Sequence, residues 1–374
     1  MSGDGSMFVD GPSQQPIRAV MPDMGPHEAD VVVVGGGLSG SLAAVVLGRA
    51  GYRVVFVDRH AVCPAQFRVE KIARDQVELL RRMGLLDSLA AAASPFAKVV
   101  NARRGRVIDE TYGQHYGMLY DDIVRVIREQ LPSAVRFLVD RVAEIETGAE
   151  HQQVTLAGGE VIRARLVVLA TGMGDLLRQD LGISRRVVFE KHSATVGFSI
   201  LPAPGQAFEF PSLTYYGERQ GDGIDYLTLF PVGDVMRANL FTYRDYRDPW
   251  LQEMRRYPKP TLLAALPGLA RFLGDFRVVT PVQSWIMDLC VAEDYQRDGL
   301  VLIGDVFQTS CPAAGTGVSR LLTDVERLCT VYLPRWLASP GMGREKLAEF
   351  YQDPAKQAAD RSALKAAHYR RGVT

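Results

Sequence analysis

The sequence predicts an α/β fold. A helix-covered sheet unit is split along the chain, an antiparallel β-sheet is inserted into it, and helices close the C-terminal end. Three observations carry this. A four-valine run, Val31–Val34, leads at once into Gly35-x-Gly37-x-x-Gly40 and an apolar helical stretch. Far along the chain a second apolar run, Gly299–Ile303, stops at Gly304-Asp305, and Gly315-Thr316-Gly317 opens another helix. Between Arg185 and Val282 the apolar residues recur at every second position instead.

Composition bounds the reading. A chain of 374 residues, 47% apolar and 23% charged, has room for about two globular domains. Lys plus Arg and Asp plus Glu number 43 each, so no basic excess points to nucleic acid as a partner. Cys63, Cys290, Cys311 and Cys329 are scattered, without CxxC or a Cys/His cluster. No metal site is expected, and reduced thiols in a cytoplasmic protein are. Residues 1–29, rich in Gly, Pro, Ser and Met, read as a disordered tail and not as a signal peptide. Val31–Gly48 is 18 residues without a charge, but five glycines and two serines divide it, so no transmembrane segment is expected.

The first unit is a βαβ element. Val31–Val34 has the continuous β-branched character of a strand buried on both faces. Ser41–Ala50 reads as helix and Tyr52–Val57 as the next strand, with Asp58 standing 18 residues after Gly40. Gly35 permits the tight turn, Gly37 lets a pyrophosphate approach the backbone, and Gly40 lets helix pack on strand. The helix start at Leu38 and Ser39 offers free N–H groups and a positive dipole end to phosphates. Asp58 can accept from ribose hydroxyls, while Arg59 would suit a 2′-phosphate. This Rossmann-like unit alone leaves NAD(P) and FAD both open.

The second glycine segment decides between them through a resemblance. Val318, Leu321, Leu322, Val325 and Leu328 mark one face of the helix that follows Gly317. A GxGxxG near the N-terminus, joined to Gly304-Asp305 and Pro312-x-x-Gly315-x-Gly317, resembles the FAD-dependent hydroxylases typified by p-hydroxybenzoate hydroxylase. The resemblance covers roughly Asp30 to Leu337. It implies FAD as cofactor, with Gly304-Asp305 on the ribityl side. Gly315, Thr316, Gly317 and Val318 would face the flavin pyrimidine, and the backbone near Pro312 its reacting edge. It also implies Arg68 as a cofactor contact and Val142 beside adenine. The implied chemistry is oxygen transfer from a flavin C4a-hydroperoxide to a small apolar or aromatic substrate, with molecular oxygen as co-substrate. Hydroxylation and epoxidation are both compatible, and so is a place in secondary metabolism.

Departures from that pattern matter. In Leu166–Ile183, Thr171 stands where the family carries the Asp of its DG segment, ahead of Gly172, and Asp175 stands where it carries Ser. That Asp is linked to both FAD and NAD(P)H, so direct NAD(P)H reduction is in doubt and a separate flavin reductase is an open alternative. Gln308 replaces a His, Ser319 an Asn, and Tyr120 an Arg. Ser284-Trp285-Ile286-Met287 does not match the WxWxIP segment of the halogenases that share the fold. Another chemistry on this fold (halogenase, reductase, oxidase or cyclase) and a non-catalytic flavin-binding protein remain as alternatives.

The inserted region reads as strands at Thr195–Ile200, Leu213–Tyr216, Tyr226–Phe230 and Val235–Tyr243, then a helical stretch Trp250–Phe272. Its aromatic residues suit an apolar substrate, though alternation divides them between two faces. His115 and His192 read as satisfied structural histidines. The expected organisation is a tail at 1–29, a discontinuous FAD-binding domain at 30–95, 118–184 and 283–335, a substrate domain at 96–117 and 185–282, and C-terminal helices at 336–374.

Overall fold

In the computed structural model, residues 28–68 and 70–374 are described. Two sheets organise them, one of seven strands and one of nine. In the first, Val135–Val139, Val54–Asp58, Glu28–Val34 and Val161–Leu169 lie side by side in parallel. Leu300–Leu302 joins them in parallel against the C-terminal half of Val161–Leu169. The N-terminal half of that strand turns to an antiparallel pair, Gln152–Leu156 and Val142–Glu146. Val31 to Val33 are fully buried, which is why this strand is apolar throughout and does not alternate. It begins at Glu28, two residues before the expected start of the cofactor domain at residue 30, because Glu28 and Ala29 pair with Arg163 and Ala164. The remainder of the expected tail, residues 1–27, lies outside the described residues.

The nine-stranded sheet is built around Ser184–Pro202, a strand of 19 residues. It pairs with Val235–Thr242 and with Phe276–Val278, and its first two-thirds pair with Gln283–Glu293. Ile224–Val232, Leu213–Tyr216, Ser94–Arg103, Arg106–Gly117 and Lys71–Ala73 extend the sheet. Two of these strands come from segments grouped with the cofactor unit in the sequence. Gln283–Glu293 is held by its long antiparallel register with Ser184–Gly197, and Lys71–Ala73 by pairing with His115–Gly117. Neither pairing is visible in local pattern.

Alternation sets the two faces of this sheet. Val196, Phe198, Ile200 and Leu240 point to a core roofed by helices Pro249–Arg256 and Pro258–Ala265. Thr195, opposite Phe241, and Gly197, opposite Asn239, point the other way, toward the parallel sheet. The chain ends in helices Arg344–Tyr351 and Pro354–Val373; Asp353 caps the latter by accepting from the Lys356 amide at 2.9 Å. Among the described residues no helix is long and apolar enough to cross a membrane. Nor, among them, are three or more His, Cys, Asp or Glu grouped so as to hold a metal ion.

Candidate active site

Three neighbouring parallel strands end together, at Val34, Leu169 and Leu302. Their carboxyl ends carry the Gly35 turn, Thr171-Gly172 and Gly304-Asp305, so parallel pairing alone brings segments far apart in sequence to one edge. At Gly35 the backbone is left-handed (φ 104°), and a Cβ would lie 2.6 Å from the Ala170 carbonyl oxygen. At Gly40 a Cβ would sit 1.8 Å from the Gly35 oxygen, so helix Leu38–Arg49 rests directly on the turn.

Asp58 is tied to this loop. Its Oδ2 accepts from the Gly36 amide at 2.7 Å and its Oδ1 from the His60 amide at 2.9 Å. The Tyr120 hydroxyl accepts from the Leu38 amide at 3.1 Å. Helix Tyr120–Arg128 starts at Tyr120 itself, after Leu119. Arg128, at its other end, donates to the oxygens of Gly36 (2.5 Å), His60 and Ala61 (3.0 Å each). Its guanidinium lies over Phe56 and Phe137, 3.4 Å from Asp58. Arg128 was not among the residues read from the sequence; the one signal is that Tyr120, Val124 and Arg128 recur at helical spacing.

The far half closes onto the near half at Gly304. Its φ is 71°, and a Cβ there would lie 2.4 Å from Ser39 Oγ. Asp305 accepts from Arg68 Nη1 at 3.2 Å and stands 3.6 Å from Arg320 Nη2. The Arg68 guanidinium in turn lies 4.8 Å over the Trp285 ring. Gln76 Nε2 donates to the Gly315 oxygen and to Ser319 Oγ, both at 3.4 Å. Gln308, buried, donates to the Asp360 carbonyl at 3.0 Å, fastening this loop to the C-terminal helix. Behind helix Gly317–Arg327 lies a buried charge network. Asp324 receives Lys356 at 2.8 Å, Arg320 at 3.4 Å and the Gly304 amide at 3.0 Å, and Lys356 reaches Asp360 at 3.1 Å.

Between these halves and the second sheet opens a cleft of about 1790 Å³. Gly35, Gly37, Leu38, Ser39, Asp58, Arg59, Arg68, Val142, Thr171 and Gly172 line it, as do Asp305, Pro312 and Gly315–Val318. Gly40 and Gly304 stand behind this wall, where they permit close packing and offer no surface to a ligand. The wall fits a dinucleotide-sized flavin. Both glycine-headed helices begin without a side-chain cap, which leaves their first N–H groups for an anion. Thr171 Oγ1 and Thr316 Oγ1 are buried without a partner.

Residues 28–362 match the FAD binding domain family. The chain belongs to that family. FAD is its cofactor, and the chain is a flavin-dependent oxidoreductase. It is 29% identical over 322 residues to a ubiquinone hydroxylase of Rhodospirillum rubrum, covering 79% of this chain and 70% of that protein. It is 30% identical over 332 residues to kynurenine 3-monooxygenase of Salinispora tropica, with the same two coverages, 79% and 70%. Among solved structures, p-nitrophenol 4-monooxygenase from Pseudomonas putida superposes with a TM-score of 0.73 at 20% identity, covering 92% of this chain and 89% of that one. An aklavinone-11 hydroxylase in complex with FAD and aklavinone gives 0.70 at 22% identity, covering 93% and 70%. These likenesses show the fold.

The second sheet supplies the opposite wall. Tyr216, Tyr226, Phe230, Phe241 and Trp285 line the cleft, whereas Phe208, Phe210 and Tyr215 pack into or against the core on the other face. Thr195 Oγ1 and Asn239 Oδ1, on the cleft face, are buried and unpartnered. Glu70 and Arg237 form an ion pair at 2.7 Å, almost wholly buried, and burial raises the Glu70 carboxyl although Arg237 and Asn239 oppose the shift. The C-terminal helix closes one side of the cleft with Arg370, which pairs with Asp225 at 3.0 Å and lies 5.0 Å over Tyr226. Neither histidine is the satisfied residue expected. His192 is fully buried between Phe189 and Tyr243, away from the cleft, with both ring nitrogens unpartnered, and His115 lines the cleft with Nδ1 unpartnered.

Proposed function

We propose that this protein is an FAD-dependent monooxygenase that hydroxylates or epoxidises an aromatic or apolar small molecule. One observation carries the reading. The cofactor wall and an aromatic sheet face, Tyr226, Phe230, Phe241 and Trp285, bound the same continuous cleft. Bound FAD supplies the activation of molecular oxygen, with one oxygen atom going to substrate and the other to water at the expense of two electrons. The chain's own residues do the remainder. Asp58, Arg68, Asp305 and the two helix starts hold and orient the cofactor; Val142 marks the adenine end. The backbone around Pro312 and Gly315–Val318 faces the reacting end, where N–H groups at a helix start favour negative charge. The aromatic sheet face holds substrate and excludes water.

Thr171 favours a second reading of electron supply. A neutral hydroxyl stands at the end of the central parallel strand, so reduced flavin delivered by a separate reductase competes with direct use of NAD(P)H. The test is turnover of FAD-loaded protein with aromatic candidates under ¹⁸O₂, once with NAD(P)H alone and once with an added flavin reductase. One ¹⁸O per product molecule supports the reading. A protein that fails to bind added FAD, or one that forms only hydrogen peroxide with every candidate, sinks it.

A further inference from the structure

The substrate side of the cleft holds three basic groups that face no acid. Lys71 lies in the cleft wall with Nζ 6.0 Å from the centre of the Phe230 ring. It makes no hydrogen bond or ion pair with the described residues. Arg74, just past the end of the same short strand, lines the same wall. His115 lies opposite Ala73 in the strand pairing and is 8% exposed. It stacks on Phe96 at 5.1 Å, with Nδ1 unpartnered. Burial and then the Arg74 charge hold Lys71 down to about 8, and burial, Lys71 and Arg74 hold His115 down to about 4. Each of these two groups feels neighbouring cations, and neither feels a carboxylate.

The acids nearby are engaged elsewhere. Glu70 accepts from Arg237 at 2.7 and 2.9 Å and from Asn239 at 3.1 Å. Glu78 pairs with Arg81, and Asp109 accepts from Asn101 at 2.6 Å. Asp75 opens helix Asp75–Arg82 and makes no ion pair with Lys71, Arg74 or His115. The unpaired charges of Lys71 and Arg74 in a cleft wall are disfavoured by lost hydration and mutual repulsion, and an anion set between them relieves both, with the neutral His115 ring leaving an unpartnered nitrogen beside them. Lys71 is also the residue that abuts the aromatic wall, so the anion and an aromatic ring would belong to one ligand.

We propose that Lys71, Arg74 and His115 form an anion-recognition subsite, and that the substrate is an aromatic compound carrying an acidic substituent, a carboxylate or an ionised hydroxyl. This rests on the monooxygenase reading for the word substrate, but the subsite is testable by equilibrium binding without turnover. A phosphate of a nicotinamide donor would present the same chemistry. The experiment titrates FAD-loaded protein with 1-naphthoate and with neutral 1-naphthamide, following the flavin absorbance, and in parallel with 2′,5′-ADP. Naphthoate is expected to bind about tenfold more tightly than the amide, as for one charge-assisted hydrogen bond. Lys71→Gln removes that preference and Lys71→Arg keeps it, while both variants retain the native melting temperature. No naphthoate preference, or one that survives in Lys71→Gln, overturns the proposal. Binding of 2′,5′-ADP that Lys71→Gln abolishes, without a naphthoate preference, also overturns it and assigns the groups to the electron donor. Missing ¹⁸O incorporation alongside a Lys71-dependent naphthoate preference would instead fault the monooxygenase reading and leave the subsite standing.

Discussion

On the cofactor side of the cleft Asp58, Asp305, Arg128 and Arg320 are each bound to neighbours that cross between distant segments, Arg320 reaching Asp360 at 3.6 Å. On the substrate side Lys71, His115, Thr195 and Asn239 each keep a polar atom in the wall without a partner, whereas on the cofactor side Thr171 and Thr316 leave only neutral hydroxyls unpartnered and the four charged groups are held. The contrast separates two tasks. A cofactor cradle gains from groups already fixed in place, since little ordering remains to be done on binding. A substrate wall leaves hydrogen-bonding capacity for its ligand, and those groups stay costly until it arrives.

Four perturbations test this contrast, beginning with the largest. Lys356→Met strands Asp324 and Asp360 behind the flavin-facing helix. Breaking a buried pair in this way is expected to cost about 3–5 kcal/mol, read from urea unfolding of the FAD-loaded protein. A loss under about 1 kcal/mol would mean the network does not hold that wall. Next, Gly304→Val puts a Cβ 2.4 Å from Ser39 Oγ on a left-handed backbone. FAD affinity, measured by quenching of flavin fluorescence, should fall about a hundredfold; native affinity would show that the two halves need no close contact.

The third is a pH effect. Burial first, then the charges of Arg371 and His368, lower His192 to about 4. A group whose folded pKa lies below its unfolded value of about 6.5 contributes stability that is present above that pH and lost as pH falls toward 4. The loss should be about 2 kcal/mol, and His192→Phe should flatten that part of the melting-temperature profile between pH 7 and 4.5. An unchanged slope would assign the acid sensitivity elsewhere. The smallest is Arg59→Ala. The side chain is exposed at the cleft mouth, and FAD affinity should change less than about threefold; a tenfold loss would make Arg59 a cofactor anchor.

Much of the cofactor half was legible. Val31–Val34, the glycine spacing and Asp58 form a local βαβ unit whose parts are neighbours in sequence. Gly304-Asp305 and Gly315–Gly317 were legible as a second helix start because the strand before them is equally apolar. The substrate half was less so. Alternation showed that its aromatics divide between two faces, but not which face meets the cleft, because that depends on which side the helices Pro249–Arg256 and Pro258–Ala265 cover. Arg128, Lys71 and Arg370 were passed over because a single basic residue on a helix or strand reads as a solvated surface group.

The sequence by itself thus determined a dinucleotide-binding unit and two glycine-headed helix starts, since strand character, turn glycines and the acid are all set within a few residues of chain, and the resemblance of the two glycine segments to a known family added FAD. Only the tertiary structure decided that Val34, Leu169 and Leu302 end at one edge, and that Gln283–Glu293 and Lys71–Ala73 leave their sequence neighbours for the second sheet. It alone placed Lys71, Arg74 and His115 in one wall. The physical reason is that strand pairing and burial of charge are long-range: a residue's partners, or their absence, are settled by the sheet register and not by the residues beside it.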